Sequence, residues 1–281
     1  MDIKCIALDL DRTTLNAQGR LSDGNRKALE YAIRCGVHIV IASGRPLGSL
    51  PRDVLAIKGI EYAITSNGAA VYHLPTKRRI AHHPLSRASV EKILQLTACL
   101  PYAYETFVDG KAYAGADFLA DPVAFGAPES SVAYLTRTRT PVDDTESFIW
   151  EHANELDSID LILDDAARNA ELRAWLQSRL KDCYITSSVP HLLEISHRDC
   201  GKHAGLRVVA KALGLTPAQT AAFGDADNDV DMLTLAGCGV AVANASPACL
   251  AAADKVTASF DADGVAKAIY ELLPNSQSSV S

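Results

Sequence analysis

Short apolar runs and helically spaced apolar positions alternate through the first third of the chain. Cys5-Ile6-Ala7-Leu8 reads as a buried strand, and Asn25 to Cys35 carries Ala28, Leu29, Ala32 and Ile33 along one face of a helix. Gly36 supplies a stop, after which Val37 to Ala42 forms the next strand. Tyr62-Ala63-Ile64-Thr65 is a third, ending at Ser66-Asn67-Gly68-Ala69. Strand, helix and strand in this order build a parallel sheet with helices on both faces.

From about Pro84 the pattern changes. A helix from Ser89 to Leu100 leads to Glu105 through Tyr113, where Asp109-Gly110 between alternating positions signals a hairpin. A strand over Ser158 to Leu163 and a helix from Arg168 to Leu180 follow, separated from the hairpin by a poorly patterned stretch, Pro122 to Asp144. After Leu192 to Ser196 the alternation returns. It comprises a helix from Lys202 to Leu213 closed by Gly214, a strand ending at Gly224-Asp225, a helix through Met232 and Leu233, a strand from Gly239 to Ala243 and a last helix from Gly264 to Leu273. The expected fold is α/β: a Rossmann-like, doubly wound parallel-sheet core from residues 1–83 and 191–281, with an inserted α+β domain over 84–190. The polar tail, Pro274 to Ser281, is expected to be disordered.

Composition narrows the function classes. With 281 residues, 48% of them apolar, the chain can fill more than one core. A net charge of −7 without a long Lys/Arg block argues against nucleic-acid or anionic-membrane binding. No apolar run approaches a membrane span, and Asp2 and Lys4 do not suit a secretion signal, so residence in the cytoplasm is the default expectation. Seven scattered cysteines without a Cys-x-x-Cys pair indicate neither zinc nor a disulfide framework, and Cys5 in a strand and Cys99 in a helix read as buried small apolar groups. The eight histidines lack metal-ligand spacing, and the neighbours His82 and His83 point to opposite strand faces.

Chemistry enters with the carboxylates. Asp9 and Asp11, two positions apart beyond the first strand, face one side of an extended segment, at the sheet edge where ligands bind. Alone they read better as a strand followed by an acidic turn. A second cluster, Gly224-Asp225-Ala226-Asp227-Asn228-Asp229, follows the apolar run Thr220-Ala221-Ala222 and changes that balance. Like charges gathered in a small volume repel unless a cation neutralises them, and oxygen ligands favour Mg²⁺. Ser43-Gly44-Arg45-Pro46 after the second strand, with Lys202 at a helix start, adds a hydroxyl and two cations that suit a phosphate.

Asp9-x-Asp11-x-Thr13, Ser43-Gly44-Arg45-Pro46, the lone Lys202 and Gly224-Asp225-x-x-Asn228-Asp229-x-x-Met232-Leu233 together resemble the haloacid dehalogenase-like superfamily over nearly the whole chain. Ser66-Asn67-Gly68-Ala69, the Asp109-Gly110 hairpin, Leu193-Glu194-Ile195 and Asp261-Ala262-Asp263-Gly264-Val265 look like its Cof-like branch, Mg²⁺-dependent phosphatases with a large α/β cap. The resemblance implies that Asp9 attacks phosphorus and becomes an aspartyl phosphate, while Asp11 protonates the leaving oxygen and then activates water. It implies Mg²⁺ held by Asp9, the backbone carbonyl of Asp11 and Asp225, with Asp229 orienting Lys202 or a metal-bound water. Ser43 and Lys202 would bind phosphoryl oxygens, alongside Gly44, Arg45 and Asn67, and Asn228 would support phosphate or cap contacts. The implied partner is a small phosphorylated metabolite, such as a sugar phosphate, and the protein a monomer or small homo-oligomer.

Arg12 stands where the family usually has Gly. It could act on Asp11, grip a second anionic group of the substrate, or face solvent. Arg198-Asp199-Cys200-Gly201 before Lys202, and Phe260 at a position often held by Asn, also depart from the pattern. Competing readings are a phosphotransferase or phosphomutase on the same intermediate, and a phospho-accepting signalling or binding protein. A dinucleotide-dependent dehydrogenase is disfavoured, because no Gly-x-Gly-x-x-Gly follows the first strand.

Overall fold

The computed structural model describes residues 2–274; the polar tail from 275 onward lies outside them. The chain first lays down β1 (Cys5–Leu8), β2 (His38–Ala42), β3 (Ile60–Thr65), β4 (Ala70–His73) and β5 (Arg78–His82). It leaves to build β6 (Ala103–Val108), β7 (Lys111–Gly115), β8 (Arg139–Val142), β9 (Leu156–Ile162), β10 (Cys183–Thr186) and β11 (Leu192–His197), then returns with β12 (Thr220–Gly224), β13 (Cys238–Val242) and β14 (Lys255–Thr257). Among the described residues these form an eight-stranded sheet, β14-β13-β12-β1-β2-β3-β4-β5, and a six-stranded sheet, β10-β11-β9-β6-β7-β8.

The first sheet is parallel from β14 through β3, with β4 and β5 added antiparallel. Its central strands are unbroken apolar runs because both faces are covered. Ile6 and Leu8 pack on one side with Ile39, Ile41, Phe223 and residues of the helices Asp23–Arg34 and Gly264–Leu272. Cys5 and Ala7 pack on the other with Val40, Ile64, and residues of the helices Lys202–Ala212 and Val230–Leu235. The doubly wound core is thus present as expected.

The second sheet is antiparallel except for the β7–β8 pair. One face carries Tyr104, Ile159, Leu161, Leu193 and Ile195 against the helices Arg87–Thr97, Thr145–Glu151 and Asn169–Arg179. On the other face Glu105, Asp160 and Glu194 lie in cross-strand register and line a cavity shared with the carboxyl edge of the first sheet. The boundary expected at 190/191 shifts: β11 joins the second sheet because Leu193 and Ile195 complete its apolar face. The unpatterned stretch 122–144 contains the helix Glu129–Thr138 and β8.

All seven cysteines are free. Cys5, Cys200, Cys238 and Cys249 are buried, but Cys99 lies beyond the end of Arg87–Thr97 and is exposed. Histidine spacing is also incomplete as a guide: His83, His197 and Asp199 bring ligand atoms within 4.8 Å of one another at the two crossovers between sheets. No helix among the described residues is long and apolar enough to cross a membrane.

The segment before the Lys202 helix packs on the turn between β3 and β4. Gly201 N–H donates to the Asn67 carbonyl at 2.7 Å, and a Cβ on Gly68 would meet the Gly201 carbonyl oxygen at 2.2 Å. Gly68 has φ +88°, a conformation that costs glycine little. Polar links fasten the second sheet over the first: Ser66 Oγ donates to Asp157 Oδ2 at 3.0 Å, Gly48 N–H to the Gly110 carbonyl at 2.7 Å, and Arg173 Nη1 to Asp227 Oδ2 at 2.9 Å.

Two stability predictions follow from this packing. Gly68→Ala should destabilise the chain by about 3 kcal/mol in denaturant unfolding, since a backbone clash adds to φ strain; a change within ±0.5 kcal/mol would mean that the β3–β4 turn and Gly201 separate freely. Burial, then Glu194 and Glu105, pushes the Asp160 carboxyl well above its usual range. The folded chain therefore keeps a proton that the unfolded chain loses near pH ~4, and stability falls as pH rises above that value. Asp160→Asn should accordingly raise the melting midpoint by about 2–4 °C at pH 8 and by less at pH 4, and an equal gain at both would contradict the buried-acid penalty.

Candidate active site

Four strand ends and one helix start converge at the carboxyl edge of the first sheet. β1 lies between β12 and β2, so the residue after it emerges at the centre of that edge. Asp9 N–H continues the ladder to the Phe223 carbonyl at 3.0 Å, and Thr14 Oγ1 donates to the Asp9 carbonyl at 2.5 Å. The strand end is therefore rigid, and the Asp9 carboxylate is buried.

Lys202 reaches this carboxylate from the first turn of its helix. Its Nζ donates to Asp9 Oδ1 at 2.6 Å and to Asp229 Oδ1 at 2.7 Å, and the side chain is fully buried. Burial alone would lower the affinity of Lys202 for its proton, but Asp229 and Asp9 outweigh it and hold the ammonium charged. Asp229 Oδ2 accepts from the N–H groups of Asp225 and Ala226 at 3.0 and 3.2 Å, which folds the segment after β12 back over Lys202. Burial pushes the Asp9 carboxyl well above its usual range, with Lys202 opposing, and its Oδ2 has no hydrogen-bond partner.

Asp225 accepts from Thr13 Oγ1 at 3.1 Å, and burial followed by Asp229 pushes its carboxyl up to about 7. Carboxylate oxygens of Asp9, Asp225 and Asp229 lie within 4.8 Å of one another. An orphaned buried oxygen among three such acids fits a hard divalent cation with oxygen ligands.

Asp11 is turned away from this group. Its half-exposed carboxylate takes Arg45 bidentately, Nε at 2.8 Å and Nη2 at 2.5 Å. Arg45 also donates to the Ser49 carbonyl and lies over the Tyr134 ring of the second domain, 4.5 Å from its centroid. Arg12 faces Asp225 instead, with its Nε 3.8 Å from Oδ2. Asp11 is thus paired by Arg45, not by Arg12. The left-handed backbone of Arg12, φ +59°, is what glycine adopts most readily, which explains the family's usual residue there.

Ser43 is buried beside the site, and its Oγ accepts from Arg45 N–H at 3.1 Å. Gly44 lets the second domain approach: a Cβ there would meet Glu194 Oε1 at 2.9 Å. Asn228 Nδ2 donates to Asn67 Oδ1 at 3.0 Å, and Asn67 Nδ2 donates to Glu194 Oε1 at 2.8 Å. This relay joins both domains. The cavity between them has a volume of about 1110 Å³ and is lined by Asp9, Asp11, Asp225 and Asn228 below and by Tyr134 and Glu194 above.

The sequence alone did not single out Thr13 and Thr14 as supports, nor Glu105, Tyr134, Arg139, Asp160 and Glu194 as cavity residues. Glu194 and Asp160 left a trace: each is an acid between apolar neighbours in a strand, a pattern shared by any strand with one solvated face.

The described family haloacid dehalogenase-like hydrolase matches residues 6–269. Phosphatase YwpJ of Bacillus subtilis is 30% identical, spanning 96% of this chain and all of its own. The 5-amino-6-(5-phospho-D-ribitylamino)uracil phosphatase YcsE of the same organism is 30% identical over 96% of this chain and 95% of its own. A solved haloacid dehalogenase-like hydrolase from B. subtilis superposes with a TM-score of 0.83 at 29% identity, covering 96% of this chain and 100% of its own. With the match running through both sheets and the relatives matched end to end, the chain belongs to the haloacid dehalogenase-like hydrolase family, among phosphatases.

Proposed function

We propose that this chain is a Mg²⁺-dependent phosphatase that hydrolyses a small phosphate monoester, a sugar phosphate or related phosphorylated metabolite, through an aspartyl phosphate on Asp9. One observation carries the reading. The Asp9 carboxylate, central on the sheet edge, has Oδ1 fixed by Lys202 while Oδ2 is left without a hydrogen-bond partner beside a large cavity. A nucleophile needs that combination of fixed orientation and one free oxygen.

Asp9, Asp225 and the backbone carbonyl of Asp11 would hold Mg²⁺, which when bound neutralises the acids and draws charge from the phosphoryl oxygens. Both Asp229 oxygens are engaged by Lys202 and by backbone N–H groups, so Asp229 serves best as the residue that positions Lys202. Two of the three Lys202 protons are used in ion pairs, and the third is available to a phosphoryl oxygen. Ser43 Oγ accepts from Arg45 N–H and can turn its own proton to the same phosphoryl group.

Asp9 would attack phosphorus as the ester oxygen departs with a proton from Asp11; Asp11 would then take a proton from the water that attacks phosphorus and frees Asp9. Asp11 can carry that proton only once Arg45 releases one of its oxygens. Binding of substrate against Arg45 and Tyr134 is a natural trigger. The relative YcsE, named for action on a ribityl phosphate ester, supports a small phosphorylated organic molecule as the substrate class.

Asp9→Asn should lower turnover of any phosphate ester by at least about 10³-fold while the melting curve stays cooperative, because a neutral amide is a poor nucleophile. Turnover within tenfold of the parent would rule out a covalent intermediate on Asp9. EDTA should abolish phosphate release and Mg²⁺ restore it, and Mg²⁺ should also raise the melting midpoint of the EDTA-treated protein, since ligand binding to the native state stabilises it. Full activity in EDTA, with no thermal shift on adding Mg²⁺, would exclude the carboxylate group as a metal site.

A further inference from the structure

Glu105, Asp160 and Glu194 stand directly opposite one another on β6, β9 and β11, three acids in one row on the cleft face of the second sheet. All three are buried, at 2%, 1% and 4% exposure. Directly opposed like charges are unfavourable in a sheet, and each desolvated carboxylate adds to that cost. Only one has a cationic partner of its own: Arg139 Nε donates to Glu105 Oε2 at 2.6 Å. Asp160 Oδ1 and Glu194 Oε2 are buried without a well-formed hydrogen bond, and Ser158 and Ser188 approach these carboxyls closely enough to offset only part of the effect of burial.

Folding does not require this arrangement. The opposite face of the same strands, Ile159, Leu161, Leu193 and Ile195, supplies the apolar core, and an apolar residue at 160, whose carboxyl has no cationic partner of its own, would fill the cleft face at little cost. Unsatisfied polar atoms kept at such cost, on residues that line a cavity shared with Asp9 and Asp11, point to a ligand that satisfies them.

Resting on the phosphatase reading, we infer that this row, with Arg139, is the leaving-group subsite for a polyhydroxylated alcohol: the monophosphate of a sugar or sugar alcohol whose far end carries neighbouring hydroxyls and no second anion. Hydroxyls both donate and accept, which suits a row containing acceptor oxygens, a carboxyl that burial drives towards its protonated form and the guanidinium of Arg139. A second phosphate or carboxylate would meet three acids against one arginine. An ammonium group can only donate, and it would lie beside Arg139. Glu194 carries the recognition inward, because its Oε1 accepts from Asn67, which Asn228 holds on the first domain.

The test compares kcat/KM for a hexose 6-phosphate, its deoxy analogues at the carbons farthest from the phosphate, the corresponding amino sugar phosphate, a sugar bisphosphate and p-nitrophenyl phosphate. The parent protein should favour the hexose monophosphate over the far-end deoxy analogues and the bisphosphate by about 10²-fold or more, as sites built to bind a hydroxyl reject analogues that lack it. Asp160→Ala should erase about tenfold or more of that preference, mainly through KM, with a much smaller change for p-nitrophenyl phosphate. Asp160→Asn, which should fold at least as well as the parent, guards against loss of structure and should shift the same ratio in the same direction.

Equal losses on sugar and aryl phosphates would show the row to be structural and overturn the inference, as would a preference for the amino sugar phosphate or bisphosphate. Hydrolysis of p-nitrophenyl phosphate without any hydroxyl preference would overturn the subsite while leaving the phosphatase reading intact. Absence of phosphate release from every ester would overturn both.

Discussion

The site depends on one buried ammonium. Lys202 is fully desolvated and is held in its charged form only because Asp9 and Asp229 approach to 2.6 and 2.7 Å. Each partner comes from a different part of the chain: Asp9 from the end of β1, Asp229 from the turn after β12, and Lys202 from the helix that follows the second crossover. Removing Lys202 leaves two buried carboxylates uncompensated, a loss of about 3–5 kcal/mol in comparable pairs, whereas removing either aspartate leaves the other still paired with the ammonium. The same contact that assembles the core therefore fixes the orientation of the Asp9 carboxylate as the chain folds.

Burial drives the carboxyls of Asp9 and Asp225 upward, and the ion triplet adds to this by leaving the neighbourhood with more acids than cations. The second sheet repeats the pattern above the cleft with Glu105, Asp160 and Glu194 against Arg139. Both surfaces of the cavity thus carry desolvated carboxylates that packing alone does not justify. A cation would relieve the lower set and hydroxyl donors the upper. Between them, Arg45 and Arg139 lie against Tyr134, at 4.5 and 4.7 Å from its ring centroid, so the wall joining the two surfaces is built from cation–π contacts.

The contact between domains is polar and local rather than a broad apolar seam. The Asn228–Asn67–Glu194 relay, the Ser66–Asp157 bond and the Arg173–Asp227 pair lie around the cavity and the crossovers. Such links can break and reform at modest cost, because water replaces the partners. A domain fastened this way can part from the first without disturbing either apolar core.

By itself, the sequence determined what local physics dictates. Apolar runs that end in acids, helical spacing from Asn25 and from Lys202, and an Asp-Gly turn identified the parallel core, the insertion, and Asp9, Asp11, Asp225 and Lys202 as candidates. It misplaced β11, because an apolar strand next to a returning helix looks the same whichever sheet it joins, and it read Cys99 as buried because helix ends are not sharply encoded. Only the tertiary structure decided that Arg45 rather than Arg12 pairs with Asp11, across 34 positions, and that Asn67 links Asn228 to Glu194. It alone showed that Asp160, which alternation permits equally on a solvated face, stands between two other acids above the cleft. Periodicity assigns a residue to a face of its own element, but what that face meets is set by strand register and crossover geometry, which act between residues distant in the chain.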